Sequence, residues 1–253
     1  MDIWCENAGV RLYAEAHGEG LPVVMLHGGM GTHHLSGAYV TGLGAGFQVL
    51  LPDVRGCGAS VCRDPAAITW EVMADDVAAL LDHVKAPRAI VGGVSGGSGC
   101  AAAFALRHPQ RLAGLFLVQP VYAGAAQGYT PFQAGQFAPL AGLAARVAAD
   151  GVSAFDPMFA ANGMQAMAQA FLAVHDPQSV AAWGDFMARG DQPFATVDQL
   201  TRVTAPVLVI PGADDMHPRA IADQDRAALP HADWVEAPPA DMAAVTAAIA
   251  RFC

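Results

Sequence analysis

The chain has 253 residues, with 13 Lys or Arg against 23 Asp or Glu; its formal net charge is −10, and Lys85 is its single lysine. Phosphate backbones and anionic membrane surfaces would repel such a chain, so neither nucleic acid nor membrane is an expected partner. Apolar residues make up 54% of it, yet no uninterrupted apolar run approaches the roughly 18–20 residues that span a bilayer.

Taken in chain order, residues 10–16 and 21–26 predict early strands, followed by strands over 47–52, 89–94 and 112–119. Between them, residues 70–84 carry Val77, Leu80, Leu81 and Val84 on one stripe at helical spacing. This alternation is the pattern of βαβ units: an α/β class with a mostly parallel central sheet and helices on both faces. Beyond Pro120, residues 121–198 are rich in Ala, Met, Phe and Gln and contain no strand-like run, which predicts a helical insertion. Strand character returns over 206–210 and 232–237, ahead of a terminal helix over 241–252. The expected organisation is therefore one domain, with a core formed by 1–120 and 199–253 and a helical cap formed by 121–198.

The strand over 89–94 runs into Gly93-Val94-Ser95-Gly96-Gly97 and then into a small-residue helix. A serine in such a turn takes a strained backbone conformation that lifts its hydroxyl clear of the sheet, and glycines two residues to either side leave room for the adjoining strand and helix. Ser95 is thus the candidate nucleophile. The run His27-Gly28-Gly29-Met30-Gly31 also follows a strand, where backbone N–H groups of Gly29 or Met30, with that of Gly96, could face a developing oxyanion.

Together with Pro52-Asp53-Val54-Arg55-Gly56-Cys57-Gly58-Ala59-Ser60 and Gly212-Ala213-Asp214-Asp215, these segments resemble the α/β-hydrolase superfamily along nearly the whole chain. The HGGxG form is similar to the proline-iminopeptidase and enol-lactonase branches. The resemblance implies an α/β-hydrolase fold and a serine hydrolase that cleaves an ester, lactone or amide through an acyl-serine intermediate. It also places the catalytic acid at Asp215, with Asp214 as runner-up, and gives the Asp53–Ser60 segment a structural part.

A serine hydroxyl needs a base to take its proton, and the family supplies a histidine on the loop after the last strand. Ala240 occupies that place, and the nine histidines lie elsewhere. Three readings are open: an inactivating His-to-Ala substitution at 240, a natural loss of the base in a protein that binds ligand or does other chemistry, or a different route by which His217 or His34 reaches Ser95. The first leads, because Ser95, the acid and the oxyanion loop all survive. His217, two residues after Asp215, is expected to face the loop surface. The second corresponds to a lyase, cyclase or ligand-binding receptor on the same fold.

Aromatic and methionine residues recur through 121–198, and Met158 and Phe159, with His34, are candidates to line an adaptable apolar pocket for an uncharged small-molecule substrate. No cofactor or metal site is expected, since His and Asp lack ligand spacing and no G-x-G-x-x-G opens a dinucleotide site. The five cysteines are odd in number and unpaired in pattern, which fits free thiols; with no basic-then-apolar start, a cytoplasmic monomer or homodimer is the expectation.

Overall fold

The computed structural model describes residues 1–161, 163, 165–238 and 241–253. Its strands are β1 (Asp2–Asn7), β2 (Val10–Gly18), β3 (Gly20–Leu26), β4 (Gly46–Pro52), β5 (Ala89–Val94), β6 (Leu112–Val118), β7 (Val207–Ile210) and β8 (Asp233–Trp234). They form one sheet in the order β1-β2-β4-β3-β5-β6-β7-β8. Pairings are antiparallel for β1–β2 and β2–β4, and parallel from β4 across to β8. The α-helices in chain order are α1 (His33–Gly37), α2 (Trp70–His83), α3 (Gly96–Arg107), α4 (Pro131–Phe137), α5 (Leu143–Asp150), α6 (Asp156–Ala161), α7 (Ala168–Ala173), α8 (Pro177–Arg189), α9 (Arg219–Ala228) and α10 (Met242–Phe252).

Each face of the sheet has its own core. On one, Met73, Val77, Leu80 and Leu81 of α2 and the buried small residues of α3 pack with Val24, Val91 and Leu117. On the other, Val245 and Ile249 of α10 meet Val23, Met25 and Phe116. α2 starts where Thr69 accepts a hydrogen bond from the amide of Val72, a side-chain cap that satisfies one of the free N–H groups of the first turn.

Two departures from the sequence reading have local causes. Strand β1 goes unpredicted; it pairs with β2 through a turn whose central residues, Ala8 and Gly9, both have positive φ, the geometry that matches the twist of a hairpin. The last strand is short, pairing with β7 only at Asp233 and Trp234, although the amide of Val235 still reaches the carbonyl of Val209.

Helices α4 to α8 fill the interval between β6 and β7, and among the described residues no strand falls there. They bury a core of their own from Phe137, Leu143, Val147, Phe155, Phe159 and Val180. The segment is fastened to the loop after β4. The Ser179 hydroxyl accepts from the amide of Cys62 at 2.8 Å and donates to the carbonyl of Gly56 at 3.0 Å, and His175 Nδ1 accepts from the amide of Gly58 at 2.9 Å. Within that loop, Asp53 accepts from the amides of His33 and Ala59, and buried Arg55 is clamped by both oxygens of Asp76. Among the described residues no helix is long and apolar enough to cross a membrane.

Candidate active site

Ser95 sits between the end of β5 and the start of α3 with φ 53° and ψ −120°, a conformation that L residues adopt only under constraint. The constraint is visible: a Cβ on Gly93 would lie 2.3 Å from the carbonyl oxygen of Gly97, and one on Gly97 would lie 2.4 Å from that of Leu26. The strand, the turn and the oxyanion loop thus approach closely enough that no side chain fits between them, and the hydroxyl of Ser95 is left half-buried.

The histidine that meets Ser95 is His217, whose Nε2 lies 3.0 Å from Ser95 Oγ. The sequence reading directs this side chain to the loop surface, and the backbone accounts for the difference. The loop after β7 doubles back so tightly that a Cβ on Gly212 would be 2.2 Å from the carbonyl oxygen of His217. Asp214 fixes the return by accepting from the His217 amide at 2.7 Å. The same carboxylate faces His217 Nδ1 at 2.9 and 3.1 Å. An ionised carboxylate only accepts, so Nδ1 carries the proton and Nε2 is free to accept from the serine hydroxyl.

The acid in contact with the imidazole is therefore Asp214, not Asp215, which is exposed one residue further along the turn. An Asp three residues before the histidine serves as both backbone cap and ring partner. Burial opposes the Asp214 charge, but the amide, charge and ring of His217 together outweigh it and hold the carboxyl below its usual range. Ala240 lies outside the described residues.

Opposite the serine, the backbone of Gly96 comes against Gly29: a Cβ on Gly96 would stand 2.8 Å from the Gly29 nitrogen. The backbone of Met30, the next residue of this loop, takes φ 56° and lies by the buried side chains of Cys57 and His175. His27 locks this loop. Its Nδ1 donates to the carbonyl of Gly28 at 2.7 Å and its Nε2 accepts from the amide of Val54 at 2.9 Å, while full burial lowers its pKa to about 4. A neutral imidazole is the one form that makes both bonds.

Of the expected lining residues, His34 is exposed, stacks on His33 with ring centroids 3.9 Å apart, and borders a surface groove with Glu15 and His17. Phe159 is buried against Phe155 and Phe171, and Met158 packs half-buried on the same cluster. Both serve the core of the helical segment because their helix turns its apolar face inward. Met187 and Trp183 lie over Gly29 instead. Half-buried Met30, Met187 and Met216 edge the same helical core from the oxyanion loop, α8 and the His217 loop. Among the described residues no group of three or more His, Cys, Asp or Glu is placed to hold a metal ion.

A mostly parallel sheet carrying a strained serine elbow, an HGG loop and an Asp–His loop after a late strand defines a class. The family model for the alpha/beta hydrolase fold matches residues 22–244, and the chain belongs to that family. Over 121 residues it is 32% identical to a 2-hydroxymuconate semialdehyde hydrolase of Pseudomonas sp. (strain CF600), a match covering 44% of this chain and 40% of that relative. Over 115 residues it is 32% identical to a proline iminopeptidase of Neisseria gonorrhoeae, covering 42% of this chain and 36% of the relative. The matches thus span less than half the length of these relatives. Among solved structures, an esterase from Thermogutta terrifontis superposes with a TM-score of 0.78 at 27% identity, covering 100% of this chain and 97% of the other. The enol-lactonase from Burkholderia xenovorans LB400, with a TM-score of 0.75 at 22% identity over 99% of both chains, shares the fold.

Proposed function

We propose that this hydrolase-family chain is a serine hydrolase that cleaves an ester, lactone or amide of a small, fairly hydrophobic molecule through an acyl-serine intermediate. The observation that carries the reading is the relay Ser95–His217–Asp214: a hydroxyl, an imidazole and a carboxylate in series at hydrogen-bond distance. His217 takes the proton from Ser95 as the hydroxyl attacks the acyl carbon, and Asp214 holds the ring and stabilises the imidazolium. The amides of Gly29 and Gly96 face the oxyanion that develops. The imidazolium then gives its proton to the leaving group, and water, activated by the same base, releases the acid.

The methionines along the edge of the helical segment support an apolar acyl group, since flexible thioethers adapt to varied hydrocarbon shapes. In this reading helices α4 to α8 act as a cap over the serine. Hydrolysis of p-nitrophenyl esters of rising acyl length tests the proposal, alongside a lactone and an anilide series. Turnover of at least one series that is lost in Ser95→Ala is expected; turnover unaffected by that change, or none in any series, contradicts it.

A further inference from the structure

Gln133, in α4, is fully buried and joins three separate stretches of backbone. Its Oε1 accepts from the amide of Thr130 at 2.9 Å, closing the cap of α4. Its Nε2 donates to the carbonyl of Val121, just past the end of β6, at 3.1 Å and to the carbonyl of Met216 at 2.8 Å. Met216 immediately precedes His217. Two carbonyls converging on one buried point require a neutral group with two N–H donors, and an amide side chain is the group that supplies them without adding charge.

We propose that Gln133 is a positioning residue for His217, a latch through which the seating of the helical segment sets the reach of the base to Ser95. The inference rests on the reading of His217 as the base. On its outer side the loop is held by Asp214, whose side chain is 55% exposed; on its inner side Gln133 fixes the peptide that enters His217. Without that amide the Met216 carbonyl is left without this donor, and the loop relaxes toward water to satisfy it. A displacement of about 1 Å at a reacting group lowers a rate roughly 100-fold. The bond also runs from α4 to the catalytic loop directly, so any motion that lifts α4 withdraws the base.

The test compares the rate of Ser95 labelling by a fluorophosphonate, and ester kcat and KM, in wild type, Gln133→Met, Thr130→Val and His217→Ala. Gln133→Met keeps the volume and removes both donors. Thr130→Val weakens the cap of the same helix, where Thr130 Oγ accepts from the Gln133 amide at 3.3 Å, and leaves Nε2 untouched. The latch predicts labelling and kcat slowed about 10- to 100-fold in Gln133→Met, with KM unchanged and Thr130→Val close to wild type. Wild-type rates in Gln133→Met, equal slowing in both helix variants, or a change confined to KM overturns it. If His217→Ala labels as fast as wild type, the base reading itself falls and the latch with it, an outcome visible in a protein whose Gln133 is intact. Should Gln133→Met not fold, Gln133→Asn, with the same donors on a stem one methylene shorter, carries the same comparison.

Discussion

Asp214 and His217, three residues apart on one turn, make two contacts with each other: carboxylate to backbone amide at 2.7 Å and carboxylate to ring Nδ1 at 2.9 Å. In the proposed relay, acid and base come from a single loop after β7, and a second loop is not needed to deliver the histidine. The ring is aimed by the same turn that binds its backbone, so its orientation and its tautomer are set together.

The two neighbouring aspartates separate cleanly. Asp214→Asn is expected to reduce ester kcat roughly 10- to 1,000-fold, less than the roughly 10⁴-fold loss that follows removal of a buried triad acid, because water around this half-exposed carboxylate already weakens its field. Asp215→Asn is expected to stay within about twofold of wild type, as a surface change away from the ring. Steady-state kinetics of the pair decides the assignment, and the reverse order of effects would return the role to Asp215.

A histidine introduced at position 240 is expected to bring no gain. The hydroxyl of Ser95 already faces an acceptor in His217 Nε2, and a second imidazole has no unmet proton transfer to perform. Assay of Ala240→His against wild type checks this; a rise of ten-fold or more in kcat would mean that His217 is not the working base.

Folding stability should fall in mild acid. His27 is neutral when folded, its pKa lowered by burial from 6.5 to about 4, so between those values the unfolded chain binds the extra proton. Stability is then complete above about pH 6.5 and is lost as pH falls toward 4, by on the order of 3 kcal/mol at about 1.4 kcal/mol per tenfold change in proton affinity. Urea unfolding from pH 7 to pH 4 measures the slope, which His27→Gln should flatten. An equally steep slope in that variant would contradict the assignment.

Asp225 titrates in the opposite sense. It is almost wholly inside the protein on α9, its Oδ1 has no hydrogen-bond partner among the described residues, and burial raises its pKa well above the usual value. A folded state that holds this proton loses stability as pH rises from the unfolded value near 3.8 through the raised one. Asp225→Leu, placed among Ala102, Leu117, Phe194 and Leu200, is expected to stabilise the chain at pH 8 by about 1–3 kcal/mol, with a smaller gain at pH 4. Thermal melts at both pH values test this, and a gain independent of pH would show that packing alone is responsible.

Much of this was readable from the residues. Apolar runs located β2 to β7, and in β3, β5, β6 and β7 they are nearly continuous because parallel strands there are buried on both faces, and the glycine spacing around Ser95 marked the elbow because backbone crowding there admits no side chain. The histidine that faces Ser95 was not readable in the same way. Family position pointed to residue 240, whereas His217 reaches Ser95 by a fold-back that depends on Gly212, and a residue's direction on an irregular loop has no periodicity to betray it. One signal was present: a glycine, an Asp and a His at i, i+2 and i+5, where Asp can cap the amide three residues on. Gln133 was invisible, since a glutamine in a short helix, here one of two with Gln136, looks like surface until the two carbonyls that it joins are brought together.

Proton transfer from Ser95 to His217 is the step on which the proposed hydrolysis depends. Rapid acid quench during turnover of an activated aryl ester, followed by peptide mass mapping, reads it directly. The prediction is an acyl adduct on the peptide bearing Ser95 in the unaltered chain, with its rate of formation reduced roughly 100- to 10,000-fold in His217→Ala. An adduct that forms equally fast without His217, or acyl transfer to any residue other than Ser95 during productive turnover, would contradict it.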